Sequence, residues 1–268
     1  MSKGPLILAG ALAFHAAAPG WSQARHGSTG SPRAAHSPVS DTTFLCFVSI
    51  DGTSGNTVDV RFRGIPGNQA ATNRNGVSVW PNSVIPWSME PLARAPVLVD
   101  GEEGSLVLVG VPITAFSYVV GYAVGPRTAD TCASAQLRPD GSLGVTDAVS
   151  LEISAIGSTS ILLRYHTLAG YLPRSAGNWI GLWRGRASPY EPPRVVARLD
   201  IPDDVTDDQV QIAGVPLRVD TPYTLVYFMG PELSTAAVMI HFVTPAPRCE
   251  TARPRQSPGP TGPPCIAG

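Results

Sequence analysis

Thr57-Val58-Asp59-Val60-Arg61-Phe62-Arg63 and Ser160-Ile161-Leu162-Leu163-Arg164-Tyr165-His166 are one strand written twice. In each, apolar side chains recur at every second position, the period of a β-strand with one buried face. The first copy turns Val58, Val60 and Phe62 inward, the second Ile161, Leu163 and Tyr165. Working outward, the same offset lays residues 46–87 on 149–190 without a gap. It matches Ile50 with Ile153, Asn75 with Asn178, Trp80 with Trp183 and Pro86 with Pro189. A one-residue slip then pairs Gly110-Val111-Pro112 with Gly214-Val215-Pro216, and a second slip pairs Tyr118 and Tyr122 with Tyr223 and Tyr227. A unit of about 100 residues can enclose a core of its own, so each copy is a domain and not a solenoid turn.

Short strands separated by turn signals, with no helix-period stretch, define the fold class. It is all-β, two tandem immunoglobulin-like Greek-key β-sandwiches, each expected to close around its own aliphatic interior. Repeat one spans 42–137 and repeat two 145–243, with Arg138-Pro139-Asp140-Gly141-Ser142 as the linker. Gly and Pro, 27 of each, make about a fifth of the chain and favour turns over helices. Tyr118 and Tyr223 each open a strand in the position of a tyrosine corner.

Outside the repeats, residues 1–24 read as a secretory signal. Lys3 is its basic start, Pro5 to Ala18 its apolar stretch, and Ser22-Gln23-Ala24 its cleavage site. Residues 25–41 lack periodicity and form a disordered lead-in, and 244–268 are a Pro/Gly-rich tail. A secreted or periplasmic location and no stable membrane span after processing follow from this reading. The four cysteines suit that compartment. Cys46 and Cys132 are both replaced by apolar residues in repeat two (Val149 and Ala237), as a lost bridge would leave them, and Cys249 and Cys265 flank the tail. Two disulfides are expected, Cys46–Cys132 and Cys249–Cys265.

Gly177-Asn178-Trp179-Ile180-Gly181-Leu182-Trp183, followed by Tyr190, resembles the G-D-W-I-G-[LIV]-[FYW] signature of SKICH-type domains. Pro222-Tyr223-Thr224-Leu225-Val226-Tyr227 is similar to that family's Y-x-F-x-Y strand. Asn178 stands where the family has Asp, and Leu225 where it has an aromatic residue. The resemblance implies an immunoglobulin-like sandwich used to bind partners and for targeting.

Charged residues are 15% of the chain and the net charge is −1, so no basic surplus points to nucleic acid. Histidines are too few inside the repeats for an acid–base pair or metal centre. No nucleophile elbow or phosphate-cradling glycine loop is present. No catalytic residue, metal or cofactor is therefore expected. The acidic loops (Asp100, Glu102 and Glu103 in repeat one; Asp200 to Asp208 in repeat two) read as solvated turns. The aromatic residues Trp87, Trp179, Trp183 and Tyr190 are the candidate binding groups. They serve either as a hydrophobic anchor for a protein partner or as platforms for sugar rings, unless they pack between the domains. The reading is an exported, non-enzymatic tandem binding or adhesion module that engages a protein, with carbohydrate binding through surface tryptophans as the alternative.

Overall fold

A computed structural model describes residues 42–114 and 116–246. The readings placed on residues 1–24 and 25–41, on Cys249 and Cys265, and on the tail beyond 246 lie outside the described residues. The strands are β1 (Thr42–Leu45), β2 (Phe47–Ser54), β3 (Thr57–Arg63), β4 (Gly76–Trp80), β5 (Ala93–Pro96), β6 (Glu103–Val109), β7 (Tyr118–Ala123), β8 (Thr131–Leu137) and β9 (Leu143–Ala148). They continue as β10 (Ser150–Ile156), β11 (Ser160–His166), β12 (Trp179–Arg184), β13 (Ala197–Asp200), β14 (Asp207–Ala213), β15 (Pro222–Phe228) and β16 (Ala236–Val243). One helical turn, α1 (Pro173–Ala176), precedes β12. Each repeat is an immunoglobulin-like sandwich of a three-stranded and a five-stranded sheet.

The alternating strands sit where their pattern demands. In β3 the inward Val58 and Val60 lie opposite Leu108 and Leu106 of β6, and in β11 Ile161 and Leu163 lie opposite Ile212 and Val210 of β14. Phe62 is paired with Gly104, where a Cβ would meet the Phe62 ring at 2.9 Å; glycine there lets the ring lie across the neighbouring strand. Both copies bulge at the matching place in their first long strand, between Ile50 and Gly52 and between Ile153 and Ala155. The tyrosine corners form as expected. Tyr118 donates its hydroxyl proton to the Pro112 carbonyl, and the Arg218 N–H donates to the Tyr223 hydroxyl at 3.1 Å.

The five-stranded sheets depart from a simple tandem. Repeat one has the order β5-β4-β7-β8-β9, and repeat two β13-β12-β15-β16-β1. Strand β1, which leads into repeat one, is thus the edge of repeat two's sheet, pairing Thr42 with His241 and Leu45 with Val238. Strand β9, which leads into repeat two, is the edge of repeat one's sheet, pairing Ala148 with Ala133. The copies trade their leading strands. Cys46 and Val149 are the crossing points: the Cys46 N–H donates to the Ala237 carbonyl at 3.2 Å and the Val149 N–H to the Cys132 carbonyl at 2.9 Å.

Three expectations change with this topology. The segment Arg138–Ser142 is a hairpin turn inside repeat one's sheet, closed by the Arg138 N–H donating to the Ser142 carbonyl at 2.9 Å, with Gly141 at φ 78°. The two interiors are not separate: a single buried cluster runs from Val48 and Leu108 to Leu163 and Phe242 and includes the crossing residues Cys46 and Val149. Cys46 and Cys132 are free, buried thiols and not a disulfide. They do occupy neighbouring positions, since burial and the Cys46 thiol both hold Cys132 in its protonated form.

The strand trade makes an expected outcome easy to state. A chain lacking residues 1–45 should expose the β16 backbone, in repeat two, while leaving the β4–β7 pair of the adjoining repeat protected. Hydrogen–deuterium exchange resolved by strand would show faster exchange in β16 than in β7 of the truncated protein.

Candidate functional site

The candidate tryptophans are placed by strand β12, where Ile180 and Leu182 face the sandwich interior and Trp179 and Trp183 the opposite side. That opposite side is also covered. Trp179 is 3% exposed and Trp183 1%, packed with Phe228, Met239 and Ala187 and with Ile65 of the other repeat. Trp179 stacks on Phe228 at 4.0 Å, and the Arg198 guanidinium lies 4.2 Å from its ring. Their indole nitrogens donate inward, Trp179 to the Gly230 carbonyl and Trp183 to the Pro193 carbonyl. Neither ring is a platform for a ligand. An aromatic pair this large is held more stably beneath a loop than in water.

Trp87 and Tyr190, matched in the overlay, occupy the seam between the repeats. The Trp87 ring lies 4.8 Å from Tyr171, its N–H donates to the Ala169 carbonyl, and it covers Gly170. Tyr190 covers Gly67 in the same manner. Leu168 completes the cluster around Trp80, as Ile65 completes that around Trp183. Each copy therefore caps the outer face of the other's five-stranded sheet, and the seam has a near two-fold arrangement.

The polar centre of the seam breaks that symmetry. In repeat two, Asn178 donates to the Tyr227 hydroxyl at 2.9 Å, and the Tyr171 hydroxyl has Asn178 Oδ1, the Ala129 carbonyl and the Met229 carbonyl within 3.1 Å. In repeat one, Asn75 donates to Tyr122 at 2.7 Å, but Asn68 replaces Tyr171. Asn75 Oδ1 and the Tyr190 hydroxyl are then both buried without a protein partner. Burial, followed by the neighbouring Cys46 and Cys132, pushes the Tyr190 phenol far above its ordinary range. Burial likewise holds the Cys132 thiol in its protonated form.

The acidic loops act locally. Asp100 accepts from the Thr72 N–H and hydroxyl, and Asp204 from those of Ser175. These bonds hold both carboxyls below the usual carboxylate range and tie each loop to the turn before β4 or β12. Among the described residues, no group of three or more His, Cys, Asp or Glu is placed to hold a metal ion.

What sequence reading missed lies on the outer face of repeat one's five-stranded sheet. A groove of about 120 Å³ runs over Val119 of β7, Ser134 and Gln136 of β8, and Val145 and Asp147 of β9. Its walls are residues 83–85 and Leu168-Ala169. Its rim is apolar and open: Val145 is 67% exposed and Val84 50%. Asp147 Oδ1 is 3.0 Å from His166 Nε2, and Asp207 Oδ1 is 3.1 Å from His166 Nδ1. Burial opposes protonation of His166, but the bonds to Asp207 and Asp147 outweigh it and lift its pKa above the ordinary value. The extension of the overlay that sets Asp147 against Phe44 was the available signal.

No known protein family matches the chain, and no curated protein matches it. Solved structures with a partial likeness include the FN1–FN3 domains of chicken CNTN1, at 14% identity and TM-score 0.25, covering 75% of this chain and 64% of that one. The two tandem V-type regions of VCBP3, a v-region-containing chitin binding protein, match at 9% identity and TM-score 0.25, covering 75% of this chain and all of that one. A biofilm associated protein BSP domain matches at 12% identity and TM-score 0.23, covering 79% of this chain and 30% of that one. The chain spans about 64% of the CNTN1 fragment's length. Likenesses of this size assign no activity. Among the described residues, no helix is long and apolar enough to cross a membrane.

Two outcomes test this description. Tyr171→Phe should cost about 1–3 kcal/mol, because it removes the one buried O–H donor that three acceptors share. Tyr190→Phe should be neutral or stabilising by up to about 1 kcal/mol, because it removes a hydroxyl without a partner. Urea midpoints of the two variants decide this. Separately, the raised pKa of His166 means its ion pairs contribute fully below its unfolded value and fade as pH rises through the folded one. Stability should therefore decline above neutral pH in the wild type, and His166→Gln should flatten that decline in urea titrations from pH 6 to 9.

Proposed function

We propose that this protein is an exported binding module that acts without catalysis and engages a protein partner through the outer face of repeat one's five-stranded sheet. One observation carries the reading. The two copies share this face, yet repeat two covers it with Phe228, Met239 and Trp179, while repeat one leaves an open groove with an exposed apolar rim. Val145 and Val84 stand in water, against the usual preference of such side chains, and a partner surface would remove them from it. The resemblance of 177–183 and 222–227 to SKICH-type domains supports partner binding, and the signal-like residues 1–24 support export. Buried Trp179 and Trp183 leave the carbohydrate alternative only the half-buried Trp87 and Tyr190 of its four platforms.

Val84→Glu/Val145→Glu tests this, since both side chains line the groove and are exposed, and the double variant should fold with an unchanged melting temperature. Extracts of the envelope fraction are passed over immobilised wild-type and variant chains. A protein retained by the wild type and lost by the variant supports the reading. Equal retention by both, or none by either, rejects it.

A further inference from the structure

The groove itself has a chemistry that the duplication makes readable. At the positions of Asp147, Ser134 and Gln136 in repeat one, repeat two carries Phe44, Met239 and His241. There Phe44 rests edge-on against His241 with centroids 5.8 Å apart, His241 Nδ1 lies 2.9 Å from the Thr224 hydroxyl, and Met239 is buried beside Trp179. Large side chains plug that face. The shorter Asp147 and Ser134 open it, and the space they leave is comparable to protein cavities that accept a benzene-sized molecule.

The groups left in the space are mainly acceptors. Asp147 gives one oxygen to His166, and its Oδ2 has no protein partner among the described residues; the Ser134 hydroxyl and Gln136 Oε1 are likewise free of protein donors there. His166 is shared with Asp207, so two carboxylates face one imidazole and the cluster stays negative even when His166 is protonated. No Lys or Arg lines the groove. Val119, Val145 and Leu168 supply an apolar wall beside the carboxylate.

From this arrangement, and resting on the proposed binding face, we infer that the groove receives a primary ammonium carried on a short aliphatic chain. The ammonium donates to Asp147 Oδ2, and the methylenes lie along Val119 and Val145. Two sources share this chemistry, a free alkylamine and a lysine side chain on the partner. His166 acts as a positioning residue that fixes the Asp147 carboxylate from behind.

Calorimetric titration of the full chain with butylammonium chloride, 1-butanol and Nα-acetyl-lysine methylamide tests the inference. Saturable butylammonium binding in the millimolar range, at least tenfold tighter than 1-butanol, supports it. Asp147→Phe and Ser134→Met, which each restore a side chain of repeat two, should abolish that binding in chains that still unfold cooperatively. Equal binding of butylammonium and butanol, no saturation with butylammonium, or binding that survives both variants overturns it. Binding of the lysine amide alongside butylammonium assigns the source to a partner lysine; its exclusion assigns it to a free amine. Loss of partner capture in the Val84→Glu/Val145→Glu chain, with no ammonium binding, would discard the ligand class and leave the binding face standing.

Discussion

Everything in this molecule depends on the exchange of β1 and β9. A five-stranded sheet in either repeat is complete only when the other repeat lends its leading strand, so the backbone groups along β8 and β16 that would face solvent are paired within the chain. An unpaired sheet edge invites association with other chains, and the exchange moves that edge from β8 and β16 onto the lent strands β9 and β1. The crossing residues Cys46 and Val149 have to be small enough and apolar enough to pass from one sheet to the other through buried surroundings. That requirement accounts for the contiguous interior and for the apolar character of both positions, with no need for a covalent link between Cys46 and Cys132.

Given that frame, the duplication works as an internal comparison. Where the copies agree, the residues hold the architecture: the tyrosine corners, Asn75 and Asn178, the loop-tying Asp100 and Asp204, and the buried Trp80 and Trp183. Where they differ, one copy has been released from a packing duty. Asn68 against Tyr171 leaves a pair of buried oxygens without partners, and Asp147 against Phe44 leaves an open groove. Buried polar atoms without partners are costly, and an open groove forfeits contacts, so both departures weaken repeat one relative to its twin. Sites that give up stability in this way are where binding chemistry tends to reside.

The strands and their inward faces were legible because the period-two pattern depends only on neighbours along the chain. Val58, Val60 and Phe62 show it directly. The strand exchange was not legible. Thr42 to Leu45 carries an ordinary strand composition, and nothing local says whether it pairs with the repeat it precedes or with the one that ends the domain pair. The tryptophans were placed on the correct strand face, but a face turned away from one core was filled by Ile65 and Leu168 of the opposite copy, contacts about a hundred residues distant. The groove escaped for the same reason. Its floor and walls come from five separate segments, and only the pairing of Asp147 with Phe44 across the repeat hints at it.

The register of β1 on β16 has a mechanical meaning. Thr42 lies opposite His241 and Leu45 opposite Val238, so the backbone joins and departs this body at the same end of one antiparallel ladder. Tension applied through the flanking segments would pull that ladder apart like a zipper, loading its bonds in succession instead of sharing the force among them. The first structure to yield under load would be the seal on repeat two's sheet, well before either sandwich felt the strain.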